Sequence, residues 1–79
     1  MLRDLTLAVQ AEDAARVRSC GHSLKGAMLG VGAFATADLA QALEMGAGNE
    51  SQQSMTAALQ DLEQQYGRIT AELREFLES

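Results

Sequence analysis

The chain contains no proline and no tryptophan, one cysteine, one histidine and only 4% aromatic residues. A single cysteine cannot form an internal disulfide, which fits a reducing compartment such as the cytoplasm. The few β-branched residues give little support to β-strands. Alanine, leucine and glutamine are abundant instead, and 47% of the residues are hydrophobic. This composition favours an ordered, all-α fold.

Positive charge is also scarce, because six basic residues stand against eleven acidic ones, for a net charge of −5. An acidic surface disfavours nucleic acid and anionic membranes, since phosphate contacts need clustered lysine and arginine. The longest strongly apolar run, 27–35, is far shorter than the roughly 20 residues that span a bilayer. No charged segment precedes an apolar stretch, as it would in a signal peptide. We therefore expect a cytoplasmic protein with no nucleic-acid partner and no direct membrane contact.

The apolar residues recur at the intervals of three and four that amphipathic helices require. This spacing predicts four helices, over residues 1 to about 10, 13–30, 34–46 and 50–77. Asp13 is the predicted N-cap of the second helix. A chain of 79 residues has room for one core, so 1–79 is a single domain. Short loops between helices that must bury their stripes predict an antiparallel up-down four-helix bundle.

The fourth predicted helix has the most regular pattern. Its apolar residues alternate spacings of four and three without a break: Met55, Leu59, Leu62, Tyr66, Ile69, Leu73 and Phe76. We predict that this stripe faces the bundle core. The alternative is that part of it forms a seam between two copies of the chain.

His22, the only histidine, lies on the outer side of the second predicted helix. The apolar stripe of this helix, which we expect to be buried, comprises Val17, Gly21, Leu24, Met28 and Val31. At 100° per residue His22 is about 160° from Leu24 in this stripe. It therefore shares a mostly exposed face with Arg18, Lys25, Gly26 and Leu29. A lone surface histidine usually has no function, so the interpretation depends on these neighbours.

The residues around His22 are suited to carrying a phosphoryl group. Imidazole is a nucleophile that can form a covalent phosphoryl intermediate. Lys25, one turn away, can neutralise the phosphoryl charge, and Arg18 can add to that field. Gly26 removes the side chain that would cover the ring. Glu44 can reach the imidazole Nδ1 if the third helix packs antiparallel to the second.

Residues 18–44 contain His22 and its neighbours within a longer pattern of residues at fixed spacings. The pattern comprises His22, Leu24, Lys25 and Gly26, then Val31-Gly32-Ala33, and finally Leu39, Leu43 and Glu44. It resembles the histidine-containing phosphotransfer (Hpt) domains of bacterial phosphorelays, which are four-helix bundles. The likeness extends over nearly the whole chain, although the diagnostic positions are confined to this part.

The resemblance implies a role for each matching residue. His22 would be phosphorylated on Nε2 by a receiver-domain aspartate and would donate to another receiver domain. Lys25 would neutralise the phosphoryl group, Gly26 would give access, and Glu44 would orient His22 through Nδ1. The receiver would dock over this face, and the docking residues would include Arg18, Leu29 and Ala33.

The resemblance also implies that such a domain has no kinase site, cofactor or metal of its own. It would be a phosphotransfer intermediate and not an enzyme with its own kinase site, although the parent protein can be a histidine kinase. No cofactor or metal is expected on the domain itself, and Mg²⁺ belongs to the receiver partner. Members of this family occur as the last domain of hybrid sensor kinases or as free proteins. Because the chain starts abruptly within a predicted helix, we expect the C-terminal domain of a hybrid sensor kinase, which can be anchored in the inner membrane through its other segments.

Two departures and two alternatives accompany the resemblance. Ala27 and Met28 stand where many members have a small polar residue, and the short N-terminal helix of many members is missing. One alternative is the dimerisation and phosphoacceptor module of a histidine kinase, which Ser23 and the lack of proline disfavour. The other is a structural helical interaction or dimerisation module, for which His22 would be replaceable.

Overall fold

The computed structural model describes residues 2–78, and in this part of the chain the only regular elements are four helices. They are α1 (Leu2–Gln10), α2 (Ala14–Gly30), α3 (Phe34–Gly46) and α4 (Gln52–Glu78). The all-α prediction is confirmed, and the predicted helix bounds agree to within two residues. Met1, where the first helix was predicted to begin, and Ser79, the last residue of the predicted domain, lie outside the described residues. No described helix is long and apolar enough to cross a membrane.

Local capping explains where two of the helices begin. The Asp13 side chain accepts a hydrogen bond from the Arg16 amide, which confirms the predicted N-cap of α2. The Ser51 hydroxyl accepts one from the Ser54 amide, so α4 begins after Ser51 and two residues later than predicted. Gly32, at φ +77°, provides the left-handed turn that ends α2 and leads into α3.

The core lies along the axis of the bundle, and each helix contributes a fully buried leucine. These four residues are Leu5, Leu24, Leu43 and Leu62. Helices consecutive in the chain pack side by side, and α1 also contacts α4, which closes the ring. This is the antiparallel up-down topology that short loops favour.

The C-terminal part of α4 extends beyond the bundle. At 1.5 Å per residue α4 is about 40 Å long, whereas α2 spans about 25 Å and α3 about 20 Å. Residues 70–78 are therefore exposed, and the prediction that Leu73 and Phe76 belong to the core is wrong. Val31, predicted on the buried stripe of α2, is likewise 64% exposed because α2 ends before it.

Candidate functional site

His22 lies near the middle of α2 with its imidazole directed away from the core. Its side chain is 71% exposed, whereas Gly21 and Leu24 on either side of it are buried. The helical periodicity explains this difference, because a residue 100° to 160° away from the buried stripe must face outward. The helix therefore presents an accessible imidazole on a rigid scaffold.

Glu44 of α3 links His22 to Lys25. Its Oε1 lies 3.3 Å from His22 Nδ1, and its Oε2 lies 3.3 Å from Lys25 Nζ. The Oε2 atom is buried and no described group donates it a hydrogen bond, so the ion pair with Lys25 is what compensates its charge. The carboxylate thus bridges two side chains that lie one turn apart on α2.

Gly21 allows α3 to approach α2 closely beside His22. A Cβ atom at this position would lie 3.2 Å from the Ala40 carbonyl oxygen and 3.3 Å from Glu44 Cβ. Both distances are shorter than ordinary van der Waals contact, so a side chain here would require Ala40 and Glu44 to shift by a few tenths of an ångström. Sequence reasoning assigned Gly21 to the buried stripe and missed this positioning role. A glycine within the apolar stripe of a helix was the available signal.

Gly26 and Leu29 border His22 on its open side. A Cβ atom at Gly26 would meet nothing within 4 Å, and Leu29 is 49% exposed. Ala33, beyond the end of α2, is half-buried and packs against the core. By helical periodicity Gly26 and Leu29 continue the exposed face of His22 towards the end of α2, and Ala33 follows that end.

Arg18 lies on the same helix but makes a different contact. Its Nη1 donates a hydrogen bond to the Ala47 carbonyl oxygen, 3.2 Å away. The guanidinium therefore connects α2 to the C-terminal end of α3, where the last carbonyl groups of a helix accept cationic donors. The structure thus brings together His22, Lys25 and Glu44, and places Arg18 at the edge of this group.

The comparison with family models gives a direct result. The model of the Hpt domain matches residues 1–78. This chain belongs to the Hpt domain family. No curated protein and no solved structure matches the chain.

Membership of the family establishes the general role of the protein. Hpt domains carry phosphoryl groups on histidine in the phosphorelays of two-component signalling, and they interact with receiver domains. They are transfer intermediates and not enzymes with a kinase site. The residue that carries the group in this Hpt domain, and the roles of its neighbours, are predictions.

Substituting Gly21 tests whether the close approach of α3 holds Glu44 in place. Gly67 is also inside a helix, but nothing lies within 4 Å of its Cβ position, so Gly67→Ala should raise the unfolding free energy by about 0.5–1 kcal/mol. The unfolding free energy of Gly21→Ala should be about 1–3 kcal/mol lower than that of Gly67→Ala, because the added methyl group overpacks the α2–α3 contact.

Urea denaturation of both variants measures this difference. Imidazole ¹⁵N chemical shifts in Gly21→Ala should also report a weaker interaction at His22 Nδ1, which a purely structural role would not change. Equal stability of the two variants, with unchanged His22 shifts, would show that Gly21 does not position Glu44.

Proposed function

We propose that this Hpt domain accepts a phosphoryl group on His22 Nε2 from a receiver-domain aspartate and passes it to another receiver domain. The observation that carries the proposal is the exposed imidazole with Glu44 Oε1 3.3 Å from its Nδ1. A carboxylate at this distance favours the tautomer with its proton on Nδ1. Nε2 then keeps its lone pair and is the nitrogen that attacks.

The transfer step needs little chemistry from the Hpt domain. The Nε2 lone pair attacks the phosphorus of the aspartyl phosphate in line, an N–P bond forms, and the bond from phosphorus to the aspartate oxygen breaks. The aspartate leaves as a carboxylate, and the proton stays on Nδ1. The positive charge that develops on the ring is offset by Glu44, as in catalytic triads.

Lys25 lies one turn from His22 on α2 and contacts the same carboxylate as the attacking ring. Its Nζ is paired with Glu44 Oε2, and the side chain is 24% exposed. Its ammonium can contact a phosphoryl oxygen on Nε2, because a four-carbon stem allows Nζ to move by several ångströms. We expect the receiver to supply Mg²⁺ and most of the charge stabilisation, so the Hpt domain needs no cofactor of its own.

The receiver docks, in this proposal, on the surface formed by Gly26, Leu29 and Ala33. Its apolar character supports a protein partner, and the gap at Gly26 admits a loop that carries the aspartyl phosphate. Arg18 lies at the rim and contributes to partner choice through its charge. The reaction runs in both directions, since the domain only stores the phosphoryl group.

A transfer assay tests the proposed function. A receiver domain with a radiolabelled aspartyl phosphate is mixed with the Hpt domain, and the label is followed onto the smaller chain. Label that is acid-labile and base-stable identifies phosphohistidine, and its later movement to a second, unlabelled receiver establishes the relay. Failure of the folded domain to take label from any of several receivers would count against the proposal.

Lys25→Ala should slow transfer roughly tenfold without abolishing it, because one charge-assisted hydrogen bond of about 1.5 kcal/mol is lost. The matched control is Arg16→Ala, which removes a cation from another face of α2 and should leave the rate unchanged. Single-turnover rates from a phosphorylated receiver provide the measurement. Equal rates for wild type and Lys25→Ala would remove Lys25 from the mechanism.

We expect this domain to act in the cytoplasm, where receiver domains of two-component systems reside. A hybrid sensor kinase is the proposed parent, because the residues around His22 resemble the transfer domains that such kinases contain. Co-purification of a kinase and a receiver with the tagged parent protein is the measurement that tests this context.

A further inference from the structure

A second feature of the molecule lies at the end of the bundle where α4 extends past the other helices. We call residues 67–78 the overhang. Between the overhang and the loop from α2 to α3 lies an open groove of about 740 Å³. Apolar side chains dominate both of its walls: Val31 and Phe34 on one side, and Ile69, Leu73 and Phe76 on the other.

The exposed apolar surface around this groove is large for so small a domain. The exposed fractions are 52% for Leu73, 76% for Phe76, 80% for Leu77, 64% for Val31 and 65% for Phe34. Together these side chains expose on the order of 600 Å², comparable with the largest apolar patches of monomeric proteins, which are often functional. Such a surface marks an interaction site.

We propose that the overhang and its groove form an isologous dimer interface with a second copy of this chain. The face is self-complementary, because it contains both a projecting apolar helix and a groove beside that helix. A two-fold axis near Leu73 places the overhang of each copy in the groove of the other. Two such patches would bury on the order of 1,200 Å², which reaches the lower limit for specific interfaces.

The charges along the overhang determine the direction of packing. Arg68 at its base lines the groove, and Glu72 and Glu75 follow on the same flank towards the tip. Arg74 lies about 120° away from Arg68 around the helix, on a different flank. The last turn of α4 contains no basic residue, so nothing in that turn offsets the negative end of the helix dipole. Antiparallel packing brings Arg68 of one copy to Glu75 and the C-terminal end of the other. Parallel packing would place like charges together.

The dimer leaves His22 uncovered, and the proposed receiver surface meets the groove only at Ala33, which lines both. His22 lies near the middle of α2, whereas the groove begins after the end of that helix at Val31. Both imidazoles of the dimer therefore stay accessible to receiver domains. The inference does not depend on phosphotransfer and can fail or succeed independently of the proposed function.

Sedimentation equilibrium over a range of micromolar concentrations tests the proposal. The wild-type chain should approach twice the mass of one copy as its concentration rises. Leu73→Glu should weaken association about a hundredfold or more, because it buries two unpaired charges near the axis. The matched control is Leu7→Glu, an exposed leucine of α1 at 46%, which should leave association unchanged. Circular dichroism establishes that both variants keep their helices.

Charge reversal tests the antiparallel arrangement. Arg68→Glu should raise the dissociation constant of the dimer about fivefold. The double variant Arg68→Glu, Glu75→Arg should recover most of the lost affinity, because the exchanged ion pair forms again. A chain that remains monomeric at all concentrations would overturn the proposal, as would a dimer that survives Leu73→Glu. Equal weakening by the single and double reversals would overturn the antiparallel register.

Discussion

His22→Gln should abolish acceptance of the phosphoryl group while leaving the fold intact. Glutamine keeps much of the size and polarity of histidine but has no nucleophilic nitrogen, so no N–P bond can form. Because the His22 side chain is 71% exposed, its replacement should change the unfolding free energy by no more than about 0.5 kcal/mol. The loss of label should therefore be complete and should reflect chemistry alone.

The measurement is label transfer from a phosphorylated receiver, together with urea denaturation of the same sample. Ser23→Gln is the matched control, since it places the same new side chain at the neighbouring exposed position and should transfer normally. Persistent acid-labile label on His22→Gln would contradict the assignment of the carrier. It would then favour the structural-module interpretation, in which His22 is replaceable.

Gly26→Leu should lower receiver-dependent transfer by about a hundredfold or more while the domain stays folded. Gly26 is exposed and its Cβ position meets nothing within 4 Å, so we expect a leucine there to project from the surface of the folded domain. It lies one turn from His22 on the same face. The side chain would therefore occupy the space that the receiver loop needs, and misplacement of the reacting groups by an ångström is costly.

Two comparisons separate docking from chemistry in this variant. Gly67→Leu is the matched control, because its Cβ position is equally open but lies on α4, outside the proposed docking surface. It should transfer at the wild-type rate. Phosphoramidate, a small donor that needs no docking surface, should still phosphorylate Gly26→Leu. Normal transfer from the receiver to this variant would show that access at Gly26 is not limiting.

Much of the fold follows from local pattern alone. Spacings of three and four residues predicted all four helices, and the capping chemistry of Asp13 predicted where α2 begins. The same periodicity placed Leu24 inside and His22 outside. Such features depend on the geometry of one helix at a time, so a sequence is sufficient to predict them.

The relations between helices needed the tertiary structure. Glu44 was expected to reach His22 if α3 packed antiparallel to α2, but the bridge to Lys25 depends on how closely the two helices approach. The lack of a side chain at Gly21 permits that approach. The continuous stripe of α4 likewise predicted a buried Leu73, which is exposed because the neighbouring helices end too early to cover it. The spacing of apolar residues in a sequence shows which side of a helix is apolar. Only packing determines what covers that side and how far the covering extends.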